Sequence, residues 1–467
     1  MKGPRVSIFK SCDIRGVYNE ELTDATMAGI GRAMAAIMRR AHERPAIVVG
    51  GDTRRSTAPL KAALVAAMAE SGADVLDIGT VPTPVFYFAF RSLPAHGCAM
   101  VTASHNPPQF NGLKLCFSQM PVTLAEIAEL ELTVGERRFV TGVGSVRRLD
   151  VLPDYEGWLG AQFPAAAPRM KMACDAGGGA WSNIAPRLLR AAGFDVEAVF
   201  CRVDADFAAR DPNPLPEALG EVRRAVVAAG CRFGAAFDGD GDRVVFVDEQ
   251  GAVIASDVAG AVIARRLLEA EPGGKVVYEV NCSQALPDAV AAAGGVPLIE
   301  RAGHAFMKRR MIDEQALFGA EISGHFFYRS LGGGDDGLYS ALAMGKLLQQ
   351  AGRPLSALAG EVPRYHATPV VRLPRRPADA QRIVDGIAAN ARGGTVSRID
   401  GIRIQYDDGW ALARVSVTEP VVSLRFEARR RELLPGILQR FLGFDPALLA
   451  EVKARLRIWR QDTRETS

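Results

Sequence analysis

PAIVVGGDTRRSTAPLKAALVAAMAESGADVLDIG, residues 45–79, reads as strand, helix, strand. "PAIVVGG" is a short continuous apolar run bounded by a turn signal. "APLKAALVAAMAESG" is an Ala/Leu-rich helical stretch, and "ADVLDIG" is a second apolar run. That alternation is the pattern of α/β layers. It returns in "RMKMACDAGGG" followed by "NIAPRLLRAAGFDVEAVF", and again in "GKVVYEVNCSQALPDAVAAAGGVPLIE". Three units at separate places predict related α/β domains rather than one continuous sheet. Breaks near "LDVLPDYEG", "DEQGAVIAS" and "GEVPRYHATP" divide the chain into residues 1–150, 151–252, 253–363 and 364–467. The last segment is richer in Arg and ends in helical stretches. The expectation is therefore three related mixed α/β domains plus a smaller α+β carboxy-terminal domain around a central cleft.

A second repeat carries more information. "CAMVTA" leads through "SHNPPQFN" into "GLKLCF", and "FGAAF" leads through "DGDGD" into "RVVFVDE". "ALFGAE" leads through "ISG" into "HFFY", and "WALARV" leads through "SVTEP" into "VVSLRF". Each expected domain thus offers a strand, a short polar loop and another strand. Loops at equivalent ends of related sheets can converge on one cleft, a favoured place for a ligand.

Composition sets the class. The chain has 467 residues, 48% hydrophobic and 23% charged, with a mean hydropathy of +0.05, which describes a folded globular protein. A net charge of +3 gives no electrostatic case for nucleic acid. The clusters "KRR" at 308–310 and "EARRREL" at 427–433 read as solvated helix faces or small anion contacts. Seven scattered cysteines without a C-x-x-C pair argue against a disulfide framework or a structural zinc site, and for a reducing compartment. The amino terminus meets charge too early for a secretory segment. The most apolar long stretch, "GAVIASDVAGAVIARRLLEA", carries Asp257, Arg265 and Arg266 and cannot span a bilayer cheaply. A cytoplasmic protein is expected, monomeric and bound to neither membrane nor nucleic acid.

The strongest local signal is "DGDGDR", 238–243. Asp238, Asp240 and Asp242 would repel one another unless a cation sits among them. The glycines let the backbone curl so that all three aim inward. All-oxygen ligands favour Mg²⁺ or Ca²⁺. An EF-hand is excluded because its sixth position, which needs Gly, is Arg243, and because the flanks read as strands. A solvated acidic turn is the bland alternative.

The other signals are weaker singly. In "VTASHNPPQFNGLKLC", 101–116, Ser104, His105 and Asn106 precede two prolines, so either a plain turn or a hydroxyl presented at a loop tip fits. In "GAEISGHFFY", Glu321, Ser323 and His325 alternate, and an extended segment would point all three to one side, toward a polyol. In "ARVSVTEP", Arg414, Ser416 and Thr418 alternate before a proline, a plausible phosphate cradle. "DIRGVY" adds Arg15. His304, beside Gly303, reads as a structural histidine, while "GGDTRRS" and "DAGGGAW" are Gly-containing turns too weak to use.

"TASHNPPQFNGLK", "DGDGDR", "EISGH" and "RVSVTEPVVSLRFEA" occur in that order at domain-like spacings. Together they resemble the α-D-phosphohexomutases, closest to the bacterial phosphomannomutase/phosphoglucomutase branch, over nearly the whole chain. The resemblance implies a Mg²⁺-dependent isomerase that interconverts hexose 1-phosphates and 6-phosphates, of mannose and/or glucose. Ser104 would be the phosphoryl carrier, and glucose or mannose 1,6-bisphosphate the bound intermediate and activator. It implies that Asp238, Asp240 and Asp242 hold Mg²⁺ together with phosphorylated Ser104. Arg15, Lys114 and Arg243 would neutralise charge, with Lys114 and His304 as candidates for proton transfer. His105, Asn106, Glu321, Ser323 and His325 would contact substrate, and Arg414, Ser416 and Thr418 would hold the non-reacting phosphate.

Three positions depart from that branch. Cys12 stands where a tyrosine is common, Asn281 where a sugar-contacting lysine is often found, and Val417 where a small or amide residue is usual. They leave the phosphoryl-transfer core intact and the exact sugar open. Phosphoglucosamine mutase is the alternative enzyme, and a sugar-phosphate-binding homologue with weakened catalysis is the alternative of another class.

Overall fold

The computed structural model describes residues 8–165, 169–415 and 421–462. Four sheets follow one another along the chain. The first contains β1 (Ile14–Val17), β2 (Ala46–Gly51), β3 (Asp74–Thr80), β4 (Gly97–Val101), β5 (Phe110–Cys116) and β6 (Val146–Arg148), in the order β1-β5-β4-β2-β3-β6. The second contains β7 (Met170–Asp175), β8 (Phe194–Val199), β9 (Phe233–Phe237), β10 (Val244–Asp248) and β11 (Val253–Ile254), in the order β11-β10-β9-β7-β8. The third contains β12 (Lys275–Glu279), β13 (Val296–Glu300), β14 (Phe318–Ala320), β15 (Phe326–Tyr328) and β16 (Gly334–Asp335), in the order β13-β12-β14-β15-β16.

These three sheets share one plan. β2, β3 and β4 are parallel, as are β7, β8 and β9, and β12, β13 and β14. Crossover helices cover them, so parallel strands such as β2 run apolar without alternation. The last parallel strand of each set then turns back into an antiparallel neighbour: β4 into β5, β9 into β10, β14 into β15. Those three hairpin loops carry the Ser104, "DGDGD" and "EISG" motifs.

The fourth sheet is antiparallel throughout. It contains β17 (His366–Ala367), β18 (Val371–Pro374), β19 (Thr395–Ser397), β20 (Ile402–Tyr406), β21 (Gly409–Val415) and β22 (Val421–Ala428), with helices Pro377–Ala389, Leu434–Leu442 and Pro446–Asp462. Its apolar cluster, around Phe426, Ile437 and Phe441, is separate. One continuous cluster, by contrast, runs from Val48 and Phe86 through Phe237 to Phe318 and Leu348 and joins the first three units. The fourth unit meets the third through a small cluster of Val280, Trp410 and Leu412. Polar contacts add to it: Arg425 Nη1 donates to the Asn281 carbonyl at 2.7 Å, and Gln284 N–H to Glu427 Oε1 at 2.8 Å. A unit with its own core and a narrow, largely polar contact can move as a body.

The two basic clusters are less solvated than their composition predicts. Lys308 is buried with its ammonium 4.7 Å from the centre of the Tyr87 ring, and Glu427 is buried beneath Trp410. Arg309 and Arg310 pair on the helix surface with Asp313 and Glu314.

Candidate functional site

Ser104 lies between β4 and β5 in a left-handed conformation with φ 50°, an unusual state for a residue with a Cβ. Its backbone is held from three sides. Its N–H donates to Thr102 Oγ1 at 2.9 Å, its carbonyl accepts from Arg54 Nη2 at 2.8 Å, and Gly239 packs against that carbonyl. A Cβ built on Gly239 would lie 2.5 Å from it, so this position admits no side chain. The Ser104 hydroxyl donates to Asp238 Oδ2 at 2.8 Å and stands 3.2 Å from His105 Nδ1. The exposed loop tip expected here is corrected: Ser104 is only 1% exposed, because the metal-loop candidate closes over it.

The "DGDGD" loop between β9 and β10 turns at Gly241, with φ 85°, packed against Trp181. Asp238 Oδ1 accepts the N–H groups of Gly241 and Arg243 at 3.0 and 3.2 Å. Asp240 Oδ2 accepts from Thr83 Oγ1 at 2.7 Å and from Lys114 Nζ at 2.8 Å, and Lys114 also donates to Asp242. One oxygen of each of the three aspartates lies within 4.8 Å of the others. Asp240 Oδ1 and Asp242 Oδ1 are buried with no hydrogen-bond partner among the described residues. Burial and the two neighbouring carboxylates push Asp238 up to about 7. Asp240 is held below the usual carboxylate range, since Lys114, Thr83 and Arg15 outweigh the opposing effect of burial. Crowded carboxylates with unsatisfied, buried, all-oxygen donors fit a hard divalent cation.

Positive charge gathers around this loop. Arg15 donates to the Ala103 carbonyl and to Asn106 Oδ1 at 2.9 Å, and pairs with Asp13 at 2.9 Å. Arg243 Nε donates to His325 Nε2 at 2.8 Å, so His325 donates from Nδ1 to Asp335 at 2.5 Å. Burial, then Arg243 and Arg15, lower the pKa of His105 well below the ordinary imidazole value and keep it neutral.

The Glu321 segment departs from its reading. Residues 321–324 form a turn, not an extended strand, so the three alternating side chains do not share one side. Glu321 and Ser323 do meet: Ser323 Oγ donates to Glu321 Oε2 at 2.8 Å, and Glu321 Oε1 accepts the Gly303 N–H at 3.0 Å, next to His304. His325 instead belongs to the aspartate cluster, 3.7 Å from Asp242. His304 Nε2 is buried without a hydrogen-bond partner among the described residues, and burial with nearby Lys114 lowers its pKa.

Arg414 is the penultimate residue of β21 and pairs with Asp400 at 3.2 Å. Ser416, Val417 and Thr418 lie outside the described residues. Asn281 donates to Glu279 Oε2 at 3.3 Å, and burial with neighbouring Glu321 pushes Glu279 up to about 8. Cys12 lies near Asp13 and Arg15, and burial raises its thiol pKa.

Three groups at this site escaped the sequence reading. Arg54, buried, donates from one guanidinium to Asp52 and to the carbonyls of Ser104, Asn106, Pro107 and Phe110. Thr83 and Asp335 hold Asp240 and His325. Only Arg54 left a trace, the Asp-x-Arg spacing within "GGDTRRS" that lets Asp52 grip it.

Comparison with known proteins follows the same four units. The alpha/beta/alpha domains I, II and III of phosphoglucomutase/phosphomannomutase match residues 6–140, 161–251 and 255–365, and the C-terminal domain matches 371–443. The chain belongs to the phosphoglucomutase/phosphomannomutase family. Members of this family are isomerases, and magnesium binding is typical of them. The chain is 35% identical to phosphomannomutase/phosphoglucomutase of Pseudomonas aeruginosa, over 92% of this chain and 94% of that one. It is 34% identical to a phosphoglucomutase of Neisseria meningitidis, over 93% and 95%. A Methanothermobacter thermautotrophicus protein named "Probable phosphoglucosamine mutase" is 33% identical, over 95% and 99%. A crystal structure of a family protein from Burkholderia thailandensis superposes with a TM-score of 0.87 at 35% identity, covering 94% and 97%.

Proposed function

We propose that this phosphohexomutase-family chain interconverts the 1-phosphate and 6-phosphate of mannose and/or glucose, with Ser104 carrying the phosphoryl group. The observation that carries the reading is the Ser104 hydroxyl at 2.8 Å from Asp238, inside a ring of three carboxylates and three cations. Asp238, Asp240 and Asp242, with Ser104, would hold Mg²⁺, which when bound supplies charge neutralisation for the transferring phosphoryl group.

The protein's own groups divide the remaining work. Arg54 and Gly239 fix the Ser104 backbone, so that the hydroxyl meets its partner without searching. Lys114, held charged by Asp240 and Asp242, neutralises the phosphoryl oxygens and is a poor base. His304, kept neutral, takes the proton of the attacking sugar hydroxyl in the first transfer, as the freed Ser104 oxygen gains one. In the second, Ser104 gives up its proton as it takes the phosphoryl group, and His304 returns one to the departing sugar oxygen. Arg15, Arg243, His105 and Asn106 surround the phosphoryl group. Glu321 and Ser323 accept and donate toward sugar hydroxyls present in both orientations of a 1,6-bisphosphate. Arg414, with Ser416 and Thr418, holds whichever phosphate is not reacting.

Among solved structures of this fold is an N-acetylphosphoglucosamine mutase of Aspergillus fumigatus in complex with glucose 1,6-bisphosphate; at 13% identity it shares the fold alone. We divide the domains at 150/151, 252/253 and 363/364, and take a cytoplasmic monomer as the working unit. Among the described residues no helix is long and apolar enough to cross a membrane.

Intact mass of the purified protein and a coupled assay on mannose, glucose and glucosamine 1-phosphates test the reading. We expect phosphate on Ser104 and turnover of the first two sugars. Turnover of the glucosamine ester alone would move the chain to the phosphoglucosamine reading. Phosphate-free protein without turnover on any ester would leave only binding.

A further inference from the structure

Cys174 and Cys201 form a thiol pair outside the catalytic cluster. Cys174 is fully buried near the end of β7, and half-buried Cys201 follows β8. Cys201 Sγ lies 3.9 Å from Cys174 Sγ, 3.3 Å from the Cys174 carbonyl and 3.2 Å from the Val199 carbonyl. Cys201 also lines a cavity of about 680 Å³ bounded by Arg187, Arg190, Arg202, Phe200 and Asp204. Arg187 is paired with Glu156, and the Asp204 carboxylate is engaged by the N–H groups of Asp206 and Ala208. The balance at the mouth is cationic, which favours a thiolate and draws anions.

We infer that Cys201 and Cys174 are a reversible modification site, oxidised to a disulfide by anionic low-molecular-weight disulfides that dock in the arginine-lined cavity. The Cys201 thiolate attacks one sulfur of the incoming disulfide, forming a mixed disulfide and releasing one thiolate. Cys174 then gives up its proton and attacks Cys201 Sγ, forming the internal bond and releasing the second thiolate. The two protein thiols lose two electrons and two protons, and the incoming disulfide becomes two thiols. A disulfide bond is about 2.05 Å long, so the sulfurs must approach by roughly 1.9 Å.

The pair is wired to the metal-loop candidate. Cys174 precedes Asp175, which holds Arg210, and Arg210 Nη2 donates at 2.5 Å to the carbonyl of Phe237, the residue before Asp238. The loop after β7 reaches the same place: Ala180 N–H donates to the Gly239 carbonyl at 2.9 Å, and Trp181 Nε1 to that of Gly241 at 2.8 Å. Drawing Cys174 and Cys201 together therefore shifts the support of Asp238 and lowers turnover.

The test treats the full-length reduced protein with glutathione disulfide and reads intact mass, peptide linkage and turnover. The expected product is lighter by two hydrogens, links 174 to 201, and has roughly tenfold lower turnover, the scale of a displaced supporting contact. Dithiothreitol should restore it, and Cys201→Ser should keep its turnover under the same treatment. Arg202→Gln should slow oxidation by glutathione disulfide roughly two- to fivefold while leaving the rate with neutral 2-hydroxyethyl disulfide unchanged. Peptide linkage does not depend on the sugar assignment, so a failure here is distinguishable from failure of the mutase reading. A cross-link between Cys98 and Cys116, a stable adduct on Cys12 alone, or equal loss of turnover in Cys201→Ser overturns the proposal.

Discussion

Lys114 on β5 and Asp240 on the loop after β9 are 126 residues apart in the chain, yet Lys114 Nζ donates to Asp240 Oδ2 at 2.8 Å. Both side chains are buried, and the same ammonium reaches Asp242. Removing one partner of a buried ion pair strands the other charges in low dielectric, at a cost of about 3–5 kcal/mol. Lys114→Met should lower unfolding stability by that amount without Mg²⁺, and added Mg²⁺ should recover part of it. Urea unfolding with and without the metal measures both. An unchanged midpoint would show that the carboxylates do not depend on Lys114.

Ser104 makes its hydroxyl contact with Asp238 alone among the aspartates and a longer one with His105, so Ser104→Ala removes one short hydrogen bond, one long one and the nucleophile together. Stability should fall by only about 1 kcal/mol. Phosphorylation should vanish and turnover drop by several orders of magnitude. Intact mass and the coupled assay read the two effects, and near-normal turnover would remove Ser104 from the mechanism.

Arg54 ties four carbonyls of the Ser104 loop to Asp52 through one planar guanidinium. Lysine keeps the charge and loses the fork. Arg54→Lys should cost about 1.5–3 kcal/mol of stability. It should also depress kcat more than KM, since it acts on the geometry of the carrier and not on the sugar. A change confined to KM would count against that positioning role.

Asp336 is buried, and burial pushes it up to about 7 although it accepts from the Tyr155 hydroxyl at 2.7 Å. The folded protein therefore keeps a proton on Asp336 that the unfolded chain releases near pH 4. The folded state binds more protons between about pH 4 and about pH 7, so this group's contribution to stability falls as pH rises through that window. Asp336→Asn should flatten the fall. Thermal unfolding at about pH 5 and about pH 8 compares the two proteins. An equal decline in both would assign the pH dependence to other groups.

Glu321 accepts from Ser323 and from the Gly303 N–H, which places it beside His304. Glu321→Gln weakens a charged acceptor and should lower kcat/KM roughly 10- to 150-fold for both the 1-phosphate and the 6-phosphate. A loss confined to one of the two isomers would show that Glu321 does not serve both orientations.

The strand–helix–strand order, the hairpin that follows it, and the aspartate triad were legible in the sequence, because each depends on neighbours within a few positions. Apolar runs such as "AIVVGG" specify a buried parallel strand locally, and Gly239 and Gly241 specify a tight acidic turn locally. The alternation of Glu321, Ser323 and His325 misled, because hairpin closure at Gly324 bends that segment into a turn and sends His325 toward Asp335 and Arg243. Only the tertiary structure could show that Arg54 holds the Ser104 loop, that Thr83 touches Asp240, and that Ser104 is buried under Gly239. The last two contacts join different sheets and the first joins two loops of one sheet 50 residues apart, and their strength comes from shared burial, which a linear sequence does not encode. The sequence by itself determined which groups are candidates for the chemistry; packing of three sheets on one core decided which of them meet, because a hydrogen bond reaches only about 3 Å.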